Sequence, residues 1–218
     1  MHLNDDLTRP IVIAAGRQAW TSSPVPGIDR RMLFRIGNEK GRATSFVRYG
    51  QNTSFPRHTH DGGEEIFVVE GVFQDEHGDY PAGTYIRNPP GTSHVPFSKN
   101  GCVIFVKLGQ FAAKDHIRVV HRPSPRCADL QNAIWTEELH RTPDETIWLQ
   151  QWHSNSAICL TNAFGLEFVL ISGSIILDGE VLAVHTWGRL PAGSNLQCEA
   201  GSDGAQLLLK SAPLSLND

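Results

Sequence analysis

The residues with the clearest chemical potential lie in HTHDGGEEIFVVEG, residues 58–71. His58 and His60 are two positions apart, so on a β-strand both imidazoles project from the same face. Asp61-Gly62-Gly63 is typical of a turn, which would bring the carboxylate of Glu64 back to the same point. This pattern indicates a cluster of metal ligands beside a strand.

A third imidazole, His94, follows the tight-turn sequence Pro89-Pro90-Gly91. Three imidazoles and one carboxylate on a six-coordinate ion would leave about two positions open for a ligand. That arrangement suits a metal that performs chemistry or senses a ligand. The predicted metal ligands are His58, His60, Glu64 and His94.

These residues fall into two spaced motifs. In the first, His58-x-His60 is followed by Glu64 and Gly71, and in the second, Gly83 and Pro89-x-Gly91 precede His94. The order and internal spacing resemble the cupin superfamily, except that Ser98 stands where the second motif ends in asparagine and that Gly50 lies seven rather than five residues before His58. The resemblance implies a small antiparallel jelly roll around one metal ion.

The amino-acid sequence of residues 55–94 resembles that of the cupin domain of ChrR-type anti-sigma factors. That resemblance implies that His58, His60, Glu64 and His94 bind one divalent ion, zinc in that family and iron in related dioxygenases that cleave diketone-like substrates. Nickel and manganese remain alternatives. No HxxxCxxC signature occurs and no cysteine precedes Cys102, so we do not expect the sigma-factor contact that the family makes through its N-terminal zinc domain.

Strand signals dominate the rest of the chain. Short segments rich in Val, Ile, Phe, Trp and Thr are separated by Gly and Pro, which is typical of an antiparallel jelly roll or barrel. Only Ala128–Leu139 offers a weak helical or turn pattern. The predicted strands are Ser45–Tyr49, Ile66–Val72, Thr84–Arg87, Val103–Leu108, Ile117–Val120, Ile147–Trp152, Ala157–Thr161, Phe168–Ile171, Ser174–Leu177 and Gln206–Lys210.

The chain contains an internal repeat with a constant offset of 102 residues. TYIRNPPGTSH, residues 84–94, aligns with TWGRLPAGSNL, residues 186–196, and GEEIFVVEG, residues 63–71, aligns with GLEFVLISG, residues 165–173. One offset aligns both segments without a gap, which indicates two tandem β domains of common ancestry. The Pro-rich stretch 121–127 is the predicted linker.

The repeat distinguishes the two neighbouring glutamates. Under the offset, the four predicted ligands become Leu160, Asn162, Leu166 and Leu196. Glu65, in contrast, keeps its counterpart Glu167. A glutamate that persists where the other ligand types are gone is predicted to be structural, and Glu64 is predicted to be the ligand.

The remaining candidates concern a substrate pocket. Lys107 aligns with Leu209 and so is specific to the half with the metal motif, while Tyr85 and Phe105 flank the motifs. We predict these three as pocket residues, with core packing as the alternative for the aromatic ones. The sequence identifies no catalytic residue.

Charge and hydropathy exclude several classes of function. The net charge of −4 gives no general attraction to nucleic acid or anionic membranes. The acidic start MHLNDDLTRP and the lack of a long apolar run predict a cytoplasmic protein without a membrane span. The expected partner is a small-molecule ligand or substrate, and a homodimer is an open alternative.

The sequence therefore predicts an all-β fold of two tandem cupin (double-stranded β-helix, or jelly-roll) barrels. The predicted organisation is an N-terminal arm over 1–24, a metal-binding domain over 25–120, the linker over 121–127 and a degenerate domain without metal ligands over 128–218. Three functions remain open. The first is a regulatory or sensory metal-binding protein related to anti-sigma factors, and the second is a mononuclear iron-dependent dioxygenase acting on a diketone-like or hydroxyketone compound. The third is a non-catalytic ligand-binding protein in which zinc only holds the site together.

Overall fold

The architecture was examined in a computed structural model, which describes residues 1–38, 41–112, 114–122 and 133–215. Within these ranges the chain forms strands and turns but no α-helix, which confirms the all-β jelly-roll prediction. The strands are β1 (His2–Leu3), β2 (Ile11–Ile13), β3 (Thr21–Ser22), β4 (Ile28–Ile36), β5 (Arg42–Tyr49), β6 (Thr53–Ser54), β7 (His58–Thr59), β8 (Glu64–Asp75), β9 (Gly78–Pro81), β10 (Tyr85–Asn88), β11 (Ser93–His94), β12 (Phe97–Ser98), β13 (Cys102–Leu108), β14 (Val119–His121), β15 (Ile134–Arg141), β16 (Thr146–Trp152), β17 (Ala157–Leu160), β18 (Gly165–Leu177), β19 (Glu180–Ala183), β20 (Trp187–Pro191) and β21 (Leu196–Ser211).

The chain divides into two compact units. The first is built mainly from Met1–Asp5 and Gln18–Pro125, and the second from Asp6–Arg17 and Arg126–Ser215. The main sheet of the first unit has the order β4-β5-β13-β8-β10-β14, and the sheet of the second has the order β15-β16-β21-β18-β20-β2. All of these pairings are antiparallel.

At one edge, the two main sheets are completed by strands from different parts of the chain. In the first unit β14 pairs with β10, with Val119 opposite Arg87. In the second unit the same edge is filled by β2, with Ile11 opposite Arg189. The strand that completes the second sheet therefore comes from the beginning of the chain rather than from the second repeat.

The repeat is visible in the strand register as well. The β8–β13 ladder shifts between Val103 and Ile104, which leaves Val69 unpaired, and the β18–β21 ladder shifts so that Ile171 is unpaired. These two positions are 102 residues apart. A β-bulge adds one residue to one strand and increases the local twist, so both units bend at the same place.

The two interiors are composed of different side chains. The first unit's buried apolar cluster centres on aliphatic and aromatic residues that include Ile66, Phe73 and Ile104. The second unit's cluster includes Trp152, Phe168 and every second residue near the end of β21, namely Ala205, Leu207 and Leu209. It extends to Leu166 and Leu196. These last two are repeat counterparts of predicted metal ligands.

One local prediction was wrong. A weak helical pattern was predicted over Ala128–Leu139. Residues 128–132 of this segment lie outside the described ranges, and from Ile134 onward the chain forms strand β15. The helix propensity of TEEL, residues 136–139, is overridden because β15 pairs with β16 along its length. A register shift between Glu138 and His140 leaves both Leu139 and His140 buried. Residues 123–127 of the predicted linker also lie outside the described ranges, and the predicted domain boundaries stay predictions.

No helix in the described ranges is long and apolar enough to cross a membrane.

Candidate metal centre

Two short strands bring the first and last predicted ligands together. β7 and β11 form a two-stranded antiparallel ladder in which His94 lies directly opposite His58. Their ring centres are 4.9 Å apart. His60 follows one residue after β7, and its ring centre lies 5.0 Å from that of His58 and 4.7 Å from that of His94. The three imidazoles thus form a compact triangle.

A glycine turn delivers the carboxylate. Gly63 adopts a φ of +80°, which favours glycine, and a Cβ there would lie 2.3 Å from the Phe111 ring. The turn places Glu64 at the first position of β8, opposite Asn88 of β10. The Asn88 side-chain amide donates a hydrogen bond of 3.2 Å to Glu64 Oε2 and so orients the carboxylate.

The four side chains present their ligand atoms to one point. One ligand atom from each of His58, His60, Glu64 and His94 lies within 4.8 Å of the others. Glu64 Oε2 is 3.2 Å from His60 Nε2 and 3.5 Å from His94 Nε2. The structure therefore brings together all four residues that the sequence selected as ligands, and this His/Glu cluster could bind a metal ion.

Hydrogen bonds fix which nitrogen of each imidazole is free. His58 Nδ1 lies 3.0 Å from the Pro56 carbonyl oxygen, which can only accept, so Nδ1 carries the proton. His60 Nδ1 lies 3.0 Å from Thr92 Oγ1. Because the Thr92 hydroxyl donates to the Pro89 carbonyl at 2.7 Å, it accepts from His60. Both rings thus keep an Nε2 lone pair for a metal.

His94 is oriented by a carboxylate. Its Nδ1 lies 3.4 Å from Asp75 Oδ2. The other oxygen of Asp75 accepts from the Tyr80 hydroxyl at 3.0 Å and from the His77 backbone N–H at 2.8 Å. This arrangement matches the carboxylate–histidine pairs that support metal-binding imidazoles.

The neighbourhood shifts the pKa values of two imidazoles in opposite directions. Burial lowers the pKa of His60 below its ordinary value, although Glu64 opposes the shift. Burial also disfavours charge on His94, but the Asp75 hydrogen bond and the charge of Glu64 outweigh it and raise the pKa of His94. Burial thus dominates the pKa of His60, whereas the carboxylates dominate the pKa of His94.

The donor atoms fit a metal ion. His60 Nε2 and His94 Nε2 are fully buried and have no hydrogen-bond partner within the described part of the chain. Buried polar atoms are normally satisfied, and an exception needs an explanation. Imidazole nitrogens facing one carboxylate oxygen are the ligand set of zinc, iron, nickel or manganese sites, so a bound ion would explain both unsatisfied atoms.

The cluster opens into a cavity of about 950 Å³. All four cluster residues line it, together with apolar side chains and a few polar ones. A mostly apolar cavity with a few convergent polar groups is typical of a small-molecule site. Its lining also includes Ile28, Arg30, Met32, Arg35, Tyr49, Phe55 and Phe73.

Tyr49 contributes a hydroxyl to this cavity. Burial raises the pKa of Tyr49 well above its ordinary value, the charge of Glu64 adds to the shift, and Arg30 opposes it. Its ring packs edge-on against Phe73 at 5.9 Å, and Phe73 lies 6.0 Å from the His94 ring. The hydroxyl therefore stays protonated and can donate a hydrogen bond.

The three predicted pocket residues do not line the cavity, which corrects that prediction. Ile104, Val106 and Leu108 of β13 face it, so the alternating positions Phe105 and Lys107 project from the opposite face of the sheet. There Phe105 packs against Phe46 with ring centres 5.5 Å apart. Lys107 Nζ lies 3.3 Å from Thr44 Oγ1.

Tyr85 lies on that opposite face too. Its hydroxyl donates to Glu65 Oε2 at 3.2 Å, and Arg87 Nη2 is 3.9 Å from Glu65 Oε1. Arg87 also pairs with Asp115 at 2.8 Å. Glu65 and Arg87 are thus held in a buried polar network away from the metal cluster, as expected for structural residues.

The second unit repeats this network with a different donor. Trp187, the counterpart of Tyr85, donates its indole N–H to Glu167 at 2.6 Å. Arg189, the counterpart of Arg87, donates to the Asp6 carbonyl at 3.1 Å. Glu167 lies opposite Arg189 in the β18–β20 ladder, as Glu65 lies opposite Arg87 in the β8–β10 ladder, and all four residues are buried.

The counterparts of the ligands in the second unit form apolar packing. Leu160 lies opposite Leu196 in the β17–β21 ladder, as His58 lies opposite His94. Leu166 and Leu196 belong to the buried cluster, and Leu160 packs against it. Asn162 turns its amide toward backbone groups, donating to the carbonyls of residues 190, 191 and 194 and accepting from the N–H of residue 165.

The sequence prediction missed the residues that orient the ligands. Asp75, Asn88 and Thr92 carry out this role, and none belongs to the motifs as first defined. The repeat held a usable signal: under the same offset, Asp75 and Asn88 become leucines, at positions 177 and 190. They disappear together with the ligands.

Comparison with known proteins agrees with the geometry. Residues 8–112 match the sequence profile described as the ChrR cupin-like domain, so the chain contains a cupin-family domain. No curated protein sequence matches the chain significantly.

Solved structures show the same fold at low sequence identity. A candidate dioxygenase from Nostoc punctiforme is 16% identical with a TM-score of 0.71, over 95% of this chain and 84% of that one. The nickel(II) complex of the pirin YhhW from Escherichia coli is 13% identical with a TM-score of 0.69, over 94% of this chain and 100% of that one. Oxalate decarboxylase from Bacillus subtilis, studied for its Mn(II) centres, is 11% identical with a TM-score of 0.61, over 94% of this chain and 78% of that one.

Proposed function

We propose that this chain is a ChrR-like bicupin that binds one divalent metal ion through His58, His60, Glu64 and His94, and that the ion binds an organic small molecule in the adjacent cavity. The observation that carries the proposal is that His60 Nε2 and His94 Nε2 are buried, lack a hydrogen-bond partner among the described residues and both face Glu64 Oε2. The second repeat would contribute stability and no metal site.

The proposed role is regulatory or sensory, and two observations support it. Residues 8–112 match the ChrR cupin-like profile. The cluster also lines the cavity, so a ligand in the cavity would lie next to an ion held by these four residues. In this role, occupancy of the cavity is the signal, and the protein's part is to hold the ion and orient the ligand.

A second function, oxygenation of a diketone-like or hydroxyketone compound, is favoured by the apolar cavity. Iron, when bound, would supply Lewis acidity and redox chemistry toward oxygen. The chain's residues would hold the substrate in the cavity, and the Tyr49 hydroxyl would donate a hydrogen bond to it. The fold similarity to the candidate dioxygenase from Nostoc punctiforme is compatible with this function.

The test begins with elemental analysis of protein purified without oxygen from its native host. We expect about one ion per chain in the wild type and none in the double variant H58A/H94A. The matched control is H77A/H116A, which removes two exposed histidines outside the cluster and should keep the ion. A wild type without metal, or equal loss in both variants, would refute the site.

The identity of the ion and its reactivity then separate the two functions. Zinc at about one per chain, with no oxygen uptake on a panel of diketones, supports the regulatory role. Iron, with oxygen uptake that H58A/H94A abolishes and H77A/H116A retains, supports the dioxygenase.

A further inference from the structure

Arg30 lies along the wall of the metal cavity. It belongs to strand β4, where side chains alternate between the two faces. Ile28, Arg30 and Met32 all line the cavity, whereas Arg31 stacks over Trp20 at 4.6 Å on the other face. The sheet geometry therefore directs the Arg30 guanidinium toward the cavity.

The Arg30 guanidinium has an aromatic neighbour but no acid. It lies 5.8 Å from the centre of the Phe55 ring. It makes no hydrogen bond or ion pair with the described residues. The neighbouring arginines differ: Arg48 pairs with Asp29 at 2.6 Å, and Arg35 donates to the Asn38 carbonyl. Arg30 thus keeps its donor fork available for a ligand.

Arg30 is also within reach of the metal cluster. Phe55 packs edge-on against His58 with ring centres 5.2 Å apart. The two contacts in series, 5.8 and 5.2 Å, place the guanidinium no more than about 11 Å from the His58 ring. Tyr49 lines the same cavity, and its hydroxyl lies within the electrostatic influence of both Glu64 and Arg30.

We infer that Arg30 binds the carboxylate of an organic acid whose carbonyl or hydroxyl oxygens coordinate the metal ion. The inference rests on the proposed function and adds a substrate class to it. A planar guanidinium matches a carboxylate with two parallel hydrogen bonds, and the metal supplies a second positive charge at the other end of the ligand. The Tyr49 hydroxyl donates to an oxygen between the two ends.

The test uses two probes of five carbons that differ at one end. Acetylacetone is a neutral diketone, and 2,4-dioxopentanoate carries a carboxylate in place of one methyl group. Both are titrated calorimetrically into zinc-loaded protein, because zinc does not change oxidation state and the readout is binding rather than turnover. Zinc content and the thermal midpoint of unfolding are measured on the same samples.

We expect the wild type to bind 2,4-dioxopentanoate about tenfold or more tightly than acetylacetone. The variant R30Q should lose this preference while its affinity for acetylacetone changes by less than about twofold. The matched control R48Q removes the same charge from the adjacent strand, outside the cavity, and should keep the preference. R30K keeps the charge without the planar fork, so it should lie between R30Q and the wild type.

Three results would overturn the inference. One is zinc-loaded wild type that binds both probes equally or binds neither. Another is an unchanged preference in R30Q, or in R30K if R30Q does not fold. The last is an equal loss of preference in R48Q. In each of these cases the zinc content still reports on the proposed function, and a protein that holds no zinc refutes both.

Discussion

One pair of facing positions carries polar side chains in the first unit and apolar side chains in the second. In the first, His58 faces His94 across β7 and β11, and in the second, Leu160 faces Leu196 across β17 and β21. The first pair leaves polar nitrogens directed at a cavity, whereas the second pair fills the interior with apolar side chains. The main sheets have equivalent orders, but β7 and β11 form a separate two-stranded sheet, whereas β17 pairs with β21 of the main sheet.

The comparison separates what the fold requires from what the site requires. Glu65 and Arg87 have counterparts in Glu167 and Arg189, and both pairs lie buried at the same register of the sheet. The ligands and two of their supporting residues, in contrast, are all replaced. The second unit forms its sheet without counterparts of these residues, so the His/Glu cluster is not part of what the fold itself requires.

The largest effect is expected from Glu64→Leu, which installs the residue type found at position 166. Loss of the carboxylate should weaken zinc affinity by about 100-fold or more, because one of four ligands is removed. Competition with a fluorescent chelator measures this affinity. Glu65→Gln is the control, since its side chain faces away from the cluster, and an equal effect there would contradict the assignment of Glu64 as the ligand.

Truncation at facing positions should affect stability unequally. Leu196→Ala should lower the free energy of unfolding by about 2–5 kcal/mol, because it opens a cavity in a packed apolar cluster. In metal-free protein, His94→Ala should cost only about 1 kcal/mol, since it removes a hydrogen bond to Asp75 from a site that already borders a cavity. Urea unfolding in the presence of a chelator measures both, and equal costs would show that the first unit is as tightly packed as the second at this position.

Asp75→Asn tests the support of the cluster rather than its ligands. The amide keeps the shape but offers a weaker acceptor to His94 Nδ1, so zinc affinity should fall by about 10- to 100-fold. Substitution of the counterpart, Leu177→Asn, should leave zinc affinity unchanged. Equal affinity in Asp75→Asn and wild type would mean that the Asp75–His94 contact does not tune the site.

The smallest effect is expected from Tyr85→Phe. Removing the hydroxyl takes one hydrogen bond from Glu65 and should lower the free energy of unfolding by about 1 kcal/mol. Because Tyr85 lies on the face opposite the cavity, affinities for zinc and for the diketone probes should be unchanged. A loss of probe affinity would restore Tyr85 as a pocket residue.

Different parts of the molecule were predictable from the sequence to different degrees. The four cluster residues were accessible because histidine pairs at even spacing and glycine turns act locally. Lys107 and Phe105 were assigned to the wrong face of the sheet. Pairing with neighbouring strands determines which alternate residues face the cavity, and an error of one residue moves a side chain to the other face. Strand β4, which carries Arg30, lacked a clear strand pattern because it has charged residues on both faces. Arg30 faces the cavity, and Arg31 stacks over Trp20 on the other face.

The sequence also gave no indication of where β2 would pair, because its partner is distant. Ile11 lies opposite Arg189, and only three residues form the ladder. Local propensity cannot specify such a contact, because the two strands are far apart in the sequence. The entropy cost of bringing them together depends on the whole intervening chain.

The position of β2 has a consequence for biosynthesis. At typical elongation rates of about 5–20 residues per second, residues 11–13 leave the ribosome roughly 10–35 s before β20 is made. Until then this apolar segment has no partner strand, and among the described residues no strand of the second repeat takes the place of β2 beside β20. A fragment that begins at the second repeat would expose the β20 edge to other chains. A recombinant version of that half therefore needs residues 6–17 joined to it, for example by circular permutation.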